Sequence, residues 1–463
     1  MPERLVVIGG DAAGMSAASQ ARRRRPDDLE IVALEKGSWT SYSACGIPYL
    51  VGGDVASLDD LVARSPQTFR DAFRIDVRLR SEAMAIDLDA RTVEVRDHEH
   101  DRTYALGFDV LHIATGAHPM RPPLPGIDGA DIHGVQTLDD AAHLLDHVTS
   151  KQVDIRESRV VIVGGGYIGL EMAEAFVRRG ADTTVVTSTA QPLNLFDPDI
   201  GELVGDAMRA HGITVRCNER VTTFEETGRR TTLVHTDAGD PPIEADLVVL
   251  GMGVGPNAGL ARDAGLATGD RGAISTDRRQ RTSAEGVYAA GDCCESFDRV
   301  TGRRVYVALG TVANKQGRVA GINIGGGYAT FPGVIGTAVT KLCALEVART
   351  GVSEREAVEA GFEYVAVTID STTRAGYFPG TQPIRVKMLA EKKSGHVIGA
   401  QIIGQEGAAK RIDVIATAIT AGMTADEMTA LDLSYAPPFA PVWDPVLIAA
   451  RKAAEALADA GQA

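Results

Sequence analysis

Long apolar runs are missing from this chain. No segment approaches the roughly 20 consecutive apolar residues that a membrane-spanning helix needs, although 44% of the residues are hydrophobic, so a soluble protein is expected. Cysteine is scarce and scattered: Cys45, Cys217, Cys293, Cys294 and Cys343 form no C-x-x-C pair. That excludes a disulfide framework and a zinc ribbon, and a redox cysteine here acts alone or with a substrate thiol. Positive charge is in deficit, with 47 Lys and Arg against 62 Asp and Glu and a net charge of −15. This balance argues against broad nucleic-acid binding, while a locally positive pocket for an anionic cofactor stays compatible with it. No charged and apolar leader precedes the strand-like Leu5-Val6-Val7-Ile8, so the cytoplasm is the expected location. His98 and His100 fit a solvated turn better than a metal site, and no metal is expected.

Glycine is what the chain has in excess, 50 in 463 residues against an average of roughly 7%. Tight turns and close backbone approaches to ligands are expected from it. The length accommodates several domains. Leu5–Ile8, Ala12 to about Arg24 and Glu30–Glu35 read as strand, helix, strand, and the same pattern returns at Arg159–Val163, Gly169–Arg179 and Thr183–Val186. Two nucleotide-binding folds are expected from this duplication. Between them, 83–112 alternates apolar and polar residues around the turn Asp97-His98-Glu99-His100, as an antiparallel meander does. Pro119 to Pro125 reads as a linker. From Phe331 the texture becomes α+β, with strands at 364–367, 384–390 and 396–403 and helices after Gly407 and Asp444.

Gly9-Gly10-Asp11-Ala12-Ala13-Gly14 follows the first strand, where a pyrophosphate can rest on a helix N-terminus. Asp11 replaces the middle glycine, which is tolerable if its carboxylate points away. Glu35, about 20 residues on, is placed to accept hydrogen bonds from a ribose. Gly164-Gly165-Gly166-Tyr167-Ile168-Gly169 matches the fingerprint fully. Its second strand ends in Thr187-Ser188-Thr189 where an NADH-selective site places an acid; this permits NADPH, and with no arginine nearby in sequence the preference stays open. Cys45, in Ser41-Tyr42-Ser43-Ala44-Cys45-Gly46-Ile47-Pro48-Tyr49, precedes a helix start with Pro48 in its first turn. The helix dipole there is expected to ease deprotonation of the thiol. Read alone, the same cysteine also suits a buried structural position.

Taken together with Asp109–Gly116, Gly286–Asp292, Ala375-Gly376-Tyr377-Phe378-Pro379-Gly380 and Tyr435-Ala436-Pro437-Pro438, these motifs resemble the coenzyme A disulfide reductase and NADH oxidase branch of the pyridine nucleotide-disulfide oxidoreductases. The resemblance runs from Leu5 to the last helix. It implies an α/β chain with two Rossmann-like dinucleotide-binding domains, 1–118 with 259–330 for FAD and 119–258 for NAD(P)H, and a C-terminal α+β dimerisation domain, 331–463. It implies tightly bound FAD at Gly9, Ala12, Ala13, Gly14, Glu35, Lys36, Ala83, Thr115, Gly116 and Asp292. NADPH or NADH, as co-substrate, would meet Gly164, Gly166, Tyr167, Ile168, Gly169, Glu171, Thr187, Ser188 and Gly253.

The resemblance further implies that electrons pass from NAD(P)H through FAD to Cys45, which alternates between thiolate and a mixed disulfide or a sulfenic acid. Tyr377 and Tyr435 would complete the site of the other subunit in a homodimer. Substrate contacts map to Ser16, Gln20, Arg23, Ser41 and Asn314, with Trp443 standing where those reductases carry a lysine. Arg22 to Arg25 fit either nucleotide phosphates or a solvated helix end. Ala12 replaces a histidine of the oxygen- and peroxide-reducing relatives, which favours a small-molecule disulfide such as coenzyme A disulfide over a sulfenic acid cycle. No rhodanese-like segment follows the third domain. Cys217 and Cys343 read as core, and Cys293 and Cys294 as small buried residues beside Asp292. Two other functions remain in view: an NAD(P)H oxidase that reduces oxygen, and a redox sensor that binds both nucleotides.

Overall fold

The computed structural model describes residues 2–149, 155–228, 231–269 and 271–461. Strand Glu3–Ile8 sits in the middle of a five-stranded parallel sheet, flanked by Leu29–Leu34 and Asp76–Arg78 on one side and by Val110–Ile113 and Val287–Ala289 on the other. The run Leu5 to Ile8 is apolar on both faces because both are covered, as parallel sheets require: Leu5 and Val7 face helices, and Val6 and Ile8 share a core with Ile86, Val93, Val95 and Leu106 of an antiparallel sheet. Helix Ala12–Arg24 crosses from the first strand to the second. The late helix Gly310–Ile324 lies against it, and glycine permits the approach: a Cβ on Gly317 would stand 2.3 Å from the Ala13 carbonyl oxygen, and one on Gly321 2.3 Å from that of Ala17.

The second parallel sheet repeats the plan in the order Thr214–Arg216, Asp182–Val186, Arg159–Val163, Leu247–Leu250, Ile132–Gly134. A two-stranded ribbon of Ala117–Pro119 and Val254–Pro256 connects the two units, so the proline-rich segment begins as paired strand. The expected meander is a three-stranded antiparallel sheet, Ser81–Asp87, Thr92–Asp97 and Arg102–Gly107. It stops short of the expectation: Val110–Ile113, with a fully buried His112, belongs to the first parallel sheet.

The third unit is a five-stranded antiparallel sheet, Ala338–Leu342, Leu345–Gly351, Val397–Gly404, Pro383–Glu391 and Tyr364–Thr372, backed by helices Ile412–Ala421 and Pro445–Gly461. Polar ties fix it to the second nucleotide fold. The buried Lys387 ammonium reaches Asp197 at 3.1 Å, Asp199 at 2.8 Å and Glu354 at 2.5 Å, and Gln401 donates to Asp197 at 2.7 Å. Among the described residues no helix is long and apolar enough to cross a membrane.

Two readings of side chains are corrected here. Arg22 is buried and donates to the backbone carbonyls of Phe73, Pro26 and Arg74, while Arg25 pairs with Glu3 and Asp28. These two arginines therefore close the helix end and are committed to protein partners. Cys217 and Cys343 are half-buried rather than core, Cys343 because it turns the hairpin between Ala338–Leu342 and Leu345–Gly351 with φ +52°.

Gly317→Val places branched carbon against the Ala13 carbonyl and forces the two helices apart. A loss of about 2 kcal/mol is expected from such overpacking, read as a lowered apparent Tm in thermal unfolding; an unchanged Tm would contradict the packing described.

Candidate active site

The two glycine-rich turns have the same geometry. Gly9 and Gly164 take φ of +111° and +116°, and a Cβ on either would collide with a neighbouring carbonyl oxygen, that of Ala114 at 2.0 Å or Gly251 at 2.2 Å. Gly14 and Gly169 then let each helix press onto its turn, where a Cβ would meet the Gly9 oxygen at 1.9 Å or the Gly164 oxygen at 2.0 Å. Asp11 and Gly166 occupy corresponding N-cap positions with extended backbone. The Asp11 carboxylate accepts from the Tyr42 N–H at 3.0 Å. A Cβ on Gly166 would meet nothing within 4 Å, which leaves that turn open for a ligand.

Cys45 is held between these turns. Its loop is joined to the first by Ser41 N–H to the Gly10 carbonyl, 3.0 Å, and by the Tyr42 to Asp11 bond. It continues into a 3-10 turn Ala44–Gly46 and a short helix Ile47–Gly52. Ile47, Leu50 and Val51 pack against Leu170, Ala173 and Phe176 of the second fold's helix Tyr167–Arg178. Arg178 pairs with Asp54, and Arg179 donates to the Val51 carbonyl. Gly46 has no room for a side chain, since a Cβ there would stand 2.2 Å from Leu61.

One continuous cleft of about 2530 Å³ runs past both turns and Cys45. Of the expected residues it is lined by Gly9, Ala12, Glu35, Lys36, Thr115, Gly116 and Asp292 on the first side. On the second it is lined by Gly164, Gly166, Tyr167, Ile168, Glu171, Thr187, Ser188 and Gly253, with Asn314 at its margin. Ala13, Gly14 and Gly169 act behind the surface as packing positions, and Ala83 lies in the antiparallel sheet, packed against the core it shares with Val6, Ile8 and Ile113 of the first parallel sheet. Glu171 is one turn further into its helix than expected from sequence, and its carboxylate accepts from Thr340 of the third unit at 2.8 Å.

Ser16, Gln20 and Arg23 share the outer face of the first helix rather than the cleft wall; Ser16 donates to Asn314 at 2.7 Å. Tyr377 and Tyr435 lie on the third unit's surface, 77% and 47% exposed, near enough for the Tyr377 phenol to raise that of Tyr435. Trp443 lies in a separate small hollow under Arg451, whose guanidinium is 5.6 Å from the ring centroid. Within one chain, then, the tyrosines and Trp443 do not meet Cys45.

Four residues escaped the sequence reading. Asn257 exchanges hydrogen bonds with Thr115, accepting at its carbonyl (2.6 Å) and donating from its amide (2.9 Å). Buried Gln316 accepts from the Gly291 N–H at 2.8 Å and so fixes the segment before Asp292. Arg411 donates to the carbonyls of Thr373 and Phe439, each at 2.8 Å, and holds both tyrosine loops. Arg220 lines the cleft near Thr187. The chain distance in each case hides the contact.

The charges of the cleft oppose ionisation of its own acids. Burial lifts Asp292 to about 6 and Asp11 to about 7, the latter with help from Glu35. Burial also raises Glu35 and Glu171 above the ordinary carboxylate range. The Cys45 thiol is accessible from the cleft, yet it is raised, first by desolvation and then by Glu171 and Asp292. This corrects the expectation of an easily deprotonated thiol: the short helix dipole is outweighed by the walls of the cleft.

Asp292 Oδ1 is buried without a partner, and a hydroxylated ligand chain would supply the donor it lacks. With the open helix N-terminus at Asp11–Ala12 and the carboxylate of Glu35, these residues fit FAD. Two dinucleotide turns facing one cysteine define a two-domain flavoprotein reductase. Residues 3–317 match the family described as pyridine nucleotide-disulphide oxidoreductase, and 337–445 match its dimerisation domain; the chain belongs to this family and is an FAD-dependent NAD(P)H oxidoreductase. It is 40% identical over 454 residues to a CoA-dependent NAD(P)H sulfur oxidoreductase of Pyrococcus furiosus, covering 97% of this chain and 98% of that one. It is 34% identical to an NADH oxidase of Methanocaldococcus jannaschii, covering 98% and 100%. Its structure resembles that of an NAD-dependent persulfide reductase from A. fulgidus, with TM-score 0.94, 39% identity and coverage of 98% and 84%.

Glu171→Gln removes a negative charge that disfavours the thiolate. The midpoint of iodoacetamide alkylation at Cys45, followed by mass spectrometry against pH, is expected to move to lower pH. A midpoint that stays or rises would show that Glu171 does not act on the thiol.

Proposed function

We propose that the chain reduces a small-molecule disulfide or persulfide of the coenzyme A type, with Cys45 as the exchanging thiol. The observation that carries this reading is the placement of Cys45 on the cleft between the two nucleotide turns, tied to both of them. Gly9, Ala12, Glu35, Thr115, Gly116 and Asp292 hold FAD, and Gly164, Gly166, Tyr167 and the Thr187-Ser188 edge hold NAD(P)H. FAD, when bound, supplies the two-electron chemistry that links a nicotinamide hydride to sulfur.

The protein's own residues do the rest. Cys45 carries one sulfur of a mixed disulfide; two electrons break that bond, a small thiolate leaves, and Cys45 remains as thiolate. It then attacks one sulfur of the next disulfide, the S–S bond breaks, and the other half departs as thiolate. Raised by its surroundings, the thiol is a strong nucleophile once ionised. Tyr377 and Tyr435, brought by a second copy, donate the proton to the departing thiolate. Five large apolar or aromatic residues of the third unit, Tyr377, Tyr435, Phe439, Val442 and Trp443, are exposed, which supports this homodimer. Ser16, Gln20, Arg23, Ser41, Asn314 and Trp443 are the substrate contacts of this reading.

A second reading, oxygen reduction with Cys45 less engaged, is favoured by the similarity to the Methanocaldococcus enzyme. Anaerobic turnover of NADPH and NADH with coenzyme A disulfide, in wild type and Cys45→Ser, separates the two. Disulfide-dependent turnover that falls at least a hundredfold in the variant is expected; no disulfide turnover, with brisk oxidation once air enters, would transfer the assignment to an oxidase.

A further inference from the structure

The sequence near Thr187-Ser188-Thr189 contains no arginine, but the fold brings one there. Strand Thr214–Arg216 pairs in parallel with Asp182–Val186, Arg216 beside Val186. The segment that follows is joined to the hydroxyl run by three backbone bonds: Thr187 N–H to the Arg216 carbonyl at 2.9 Å, Glu219 N–H to the Thr187 carbonyl at 3.0 Å, and Asn218 N–H to the Thr189 carbonyl at 2.9 Å. Arg220 thus joins Thr187, Ser188 and Thr189 on the wall of the same cleft.

The local charge balance favours an anion. Thr187 and Thr189 share a hydroxyl bond at 2.9 Å, and the Thr189 hydroxyl also reaches the Gln191 carbonyl at 2.7 Å; the exposed Ser188 stands between them. The one carboxylate of the adjoining segment, Glu219, is paired with Arg216 at 2.8 Å and accepts from Thr236 at 3.2 Å. Arg216 is further engaged by Asp240 at 2.9 Å. Asp237 accepts from the backbone N–H of Arg220 at 2.8 Å. Among the described residues no carboxylate pairs with the Arg220 guanidinium, which is exposed at the edge of the cleft.

We propose that Arg220, with Ser188, forms a binding site for the 2′-phosphate of an adenosine ribose and selects NADPH over NADH as hydride donor. The inference rests on the assignment of the second glycine-rich turn to NAD(P)H. A guanidinium offers a planar fork of donors that matches phosphate oxygens. An acid at the end of the second strand would accept from ribose hydroxyls and repel that phosphate; Thr187 does neither. Arg220 is therefore a specificity-determining residue, contributed by the neighbouring strand rather than by the loop that carries the hydroxyls.

Anaerobic stopped-flow reduction of the flavin, without any disulfide acceptor, measures this directly in the wild-type holoenzyme, Arg220→Ala and Arg220→Lys. Displacement by 2′,5′-ADP and by 5′-AMP supplies a second readout. Wild type is expected to bind NADPH more tightly than NADH, and 2′,5′-ADP more tightly than 5′-AMP. Arg220→Ala is expected to lower both ratios by about tenfold, the scale of a lost charge-assisted hydrogen bond, and Arg220→Lys to restore part of each. Should Arg220→Ala lose flavin, the neutral Arg220→Gln replaces it. Ratios equal in wild type and variant, or a wild type that binds NADH more tightly, would overturn the proposal. Failure of 5′-AMP to bind at all would instead remove the assignment of the second turn beneath it. A failure of the disulfide reading leaves these measurements intact.

Discussion

The positions of Cys45 and of both nucleotide turns depend on backbone contacts that only glycine allows. At the start of each nucleotide fold, the chain leaves its strand in a left-handed conformation at Gly9 or Gly164 and passes within contact of a carbonyl from a neighbouring strand end. The following helix then presses onto the turn at Gly14 or Gly169. Each contact aims a helix N-terminus into the cleft. The cysteine loop is hydrogen-bonded to the first turn, and its short helix is packed on the helix that the second turn launches. Cys45 therefore inherits its position from both folds, and a shift in either glycine turn would move sulfur relative to both nucleotide sites.

The cleft so formed is electrostatically restrained. It gathers Asp11, Glu35, Glu171 and Asp292 in one cavity, and burial lifts all four above the ordinary carboxylate range. The same surroundings raise the Cys45 thiol. A thiol of this kind is guarded against indiscriminate oxidation, because the thiolate is the reactive form. It becomes potent when chemistry delivers it directly as thiolate, as cleavage of a mixed disulfide does. Outside the cleft, positive charge is largely committed to architecture: Lys387 binds the third unit to the second and Arg411 positions the tyrosine loops.

What the sequence made legible follows from how local each signal is. The glycine turns, their apolar strands and the Cys45 loop could be read because each is encoded within a dozen consecutive residues. Three of the third unit's five strands and its helices Ile412–Ala421 and Pro445–Gly461 were legible in the same way, with ends off by up to five residues; the hairpin Ala338–Leu342 with Leu345–Gly351 and the helix Glu354–Ala360 were not read. Residues brought in by tertiary folding were not legible: Arg220, Asn257, Gln316 and Arg411 carry no local signature, and only the folded chain sets them beside Thr187, Thr115, Gly291 and the two tyrosine loops. The direction of the Cys45 shift was misread for the same reason, since the burial that chiefly raises it, and the charges of Glu171 and Asp292 that add to it, come from distant parts of the chain. Arg22 looked available for phosphate until the Phe73 and Arg74 carbonyls, distant in sequence, were found around it. Tyr377 and Tyr435 were legible through resemblance alone, since a single chain keeps them on its surface.

The central claim is that electrons entering from NAD(P)H reach Cys45. An anaerobic titration of the oxidised, FAD-loaded protein with NADPH, or with NADH, counts the redox centres directly. With Cys45 first converted to its mixed disulfide by coenzyme A disulfide, about two hydride equivalents per subunit are expected, one for the flavin and one to split that disulfide into Cys45 thiolate and free thiol, against about one in Cys45→Ser. Equal uptake of one equivalent by both proteins would contradict the claim.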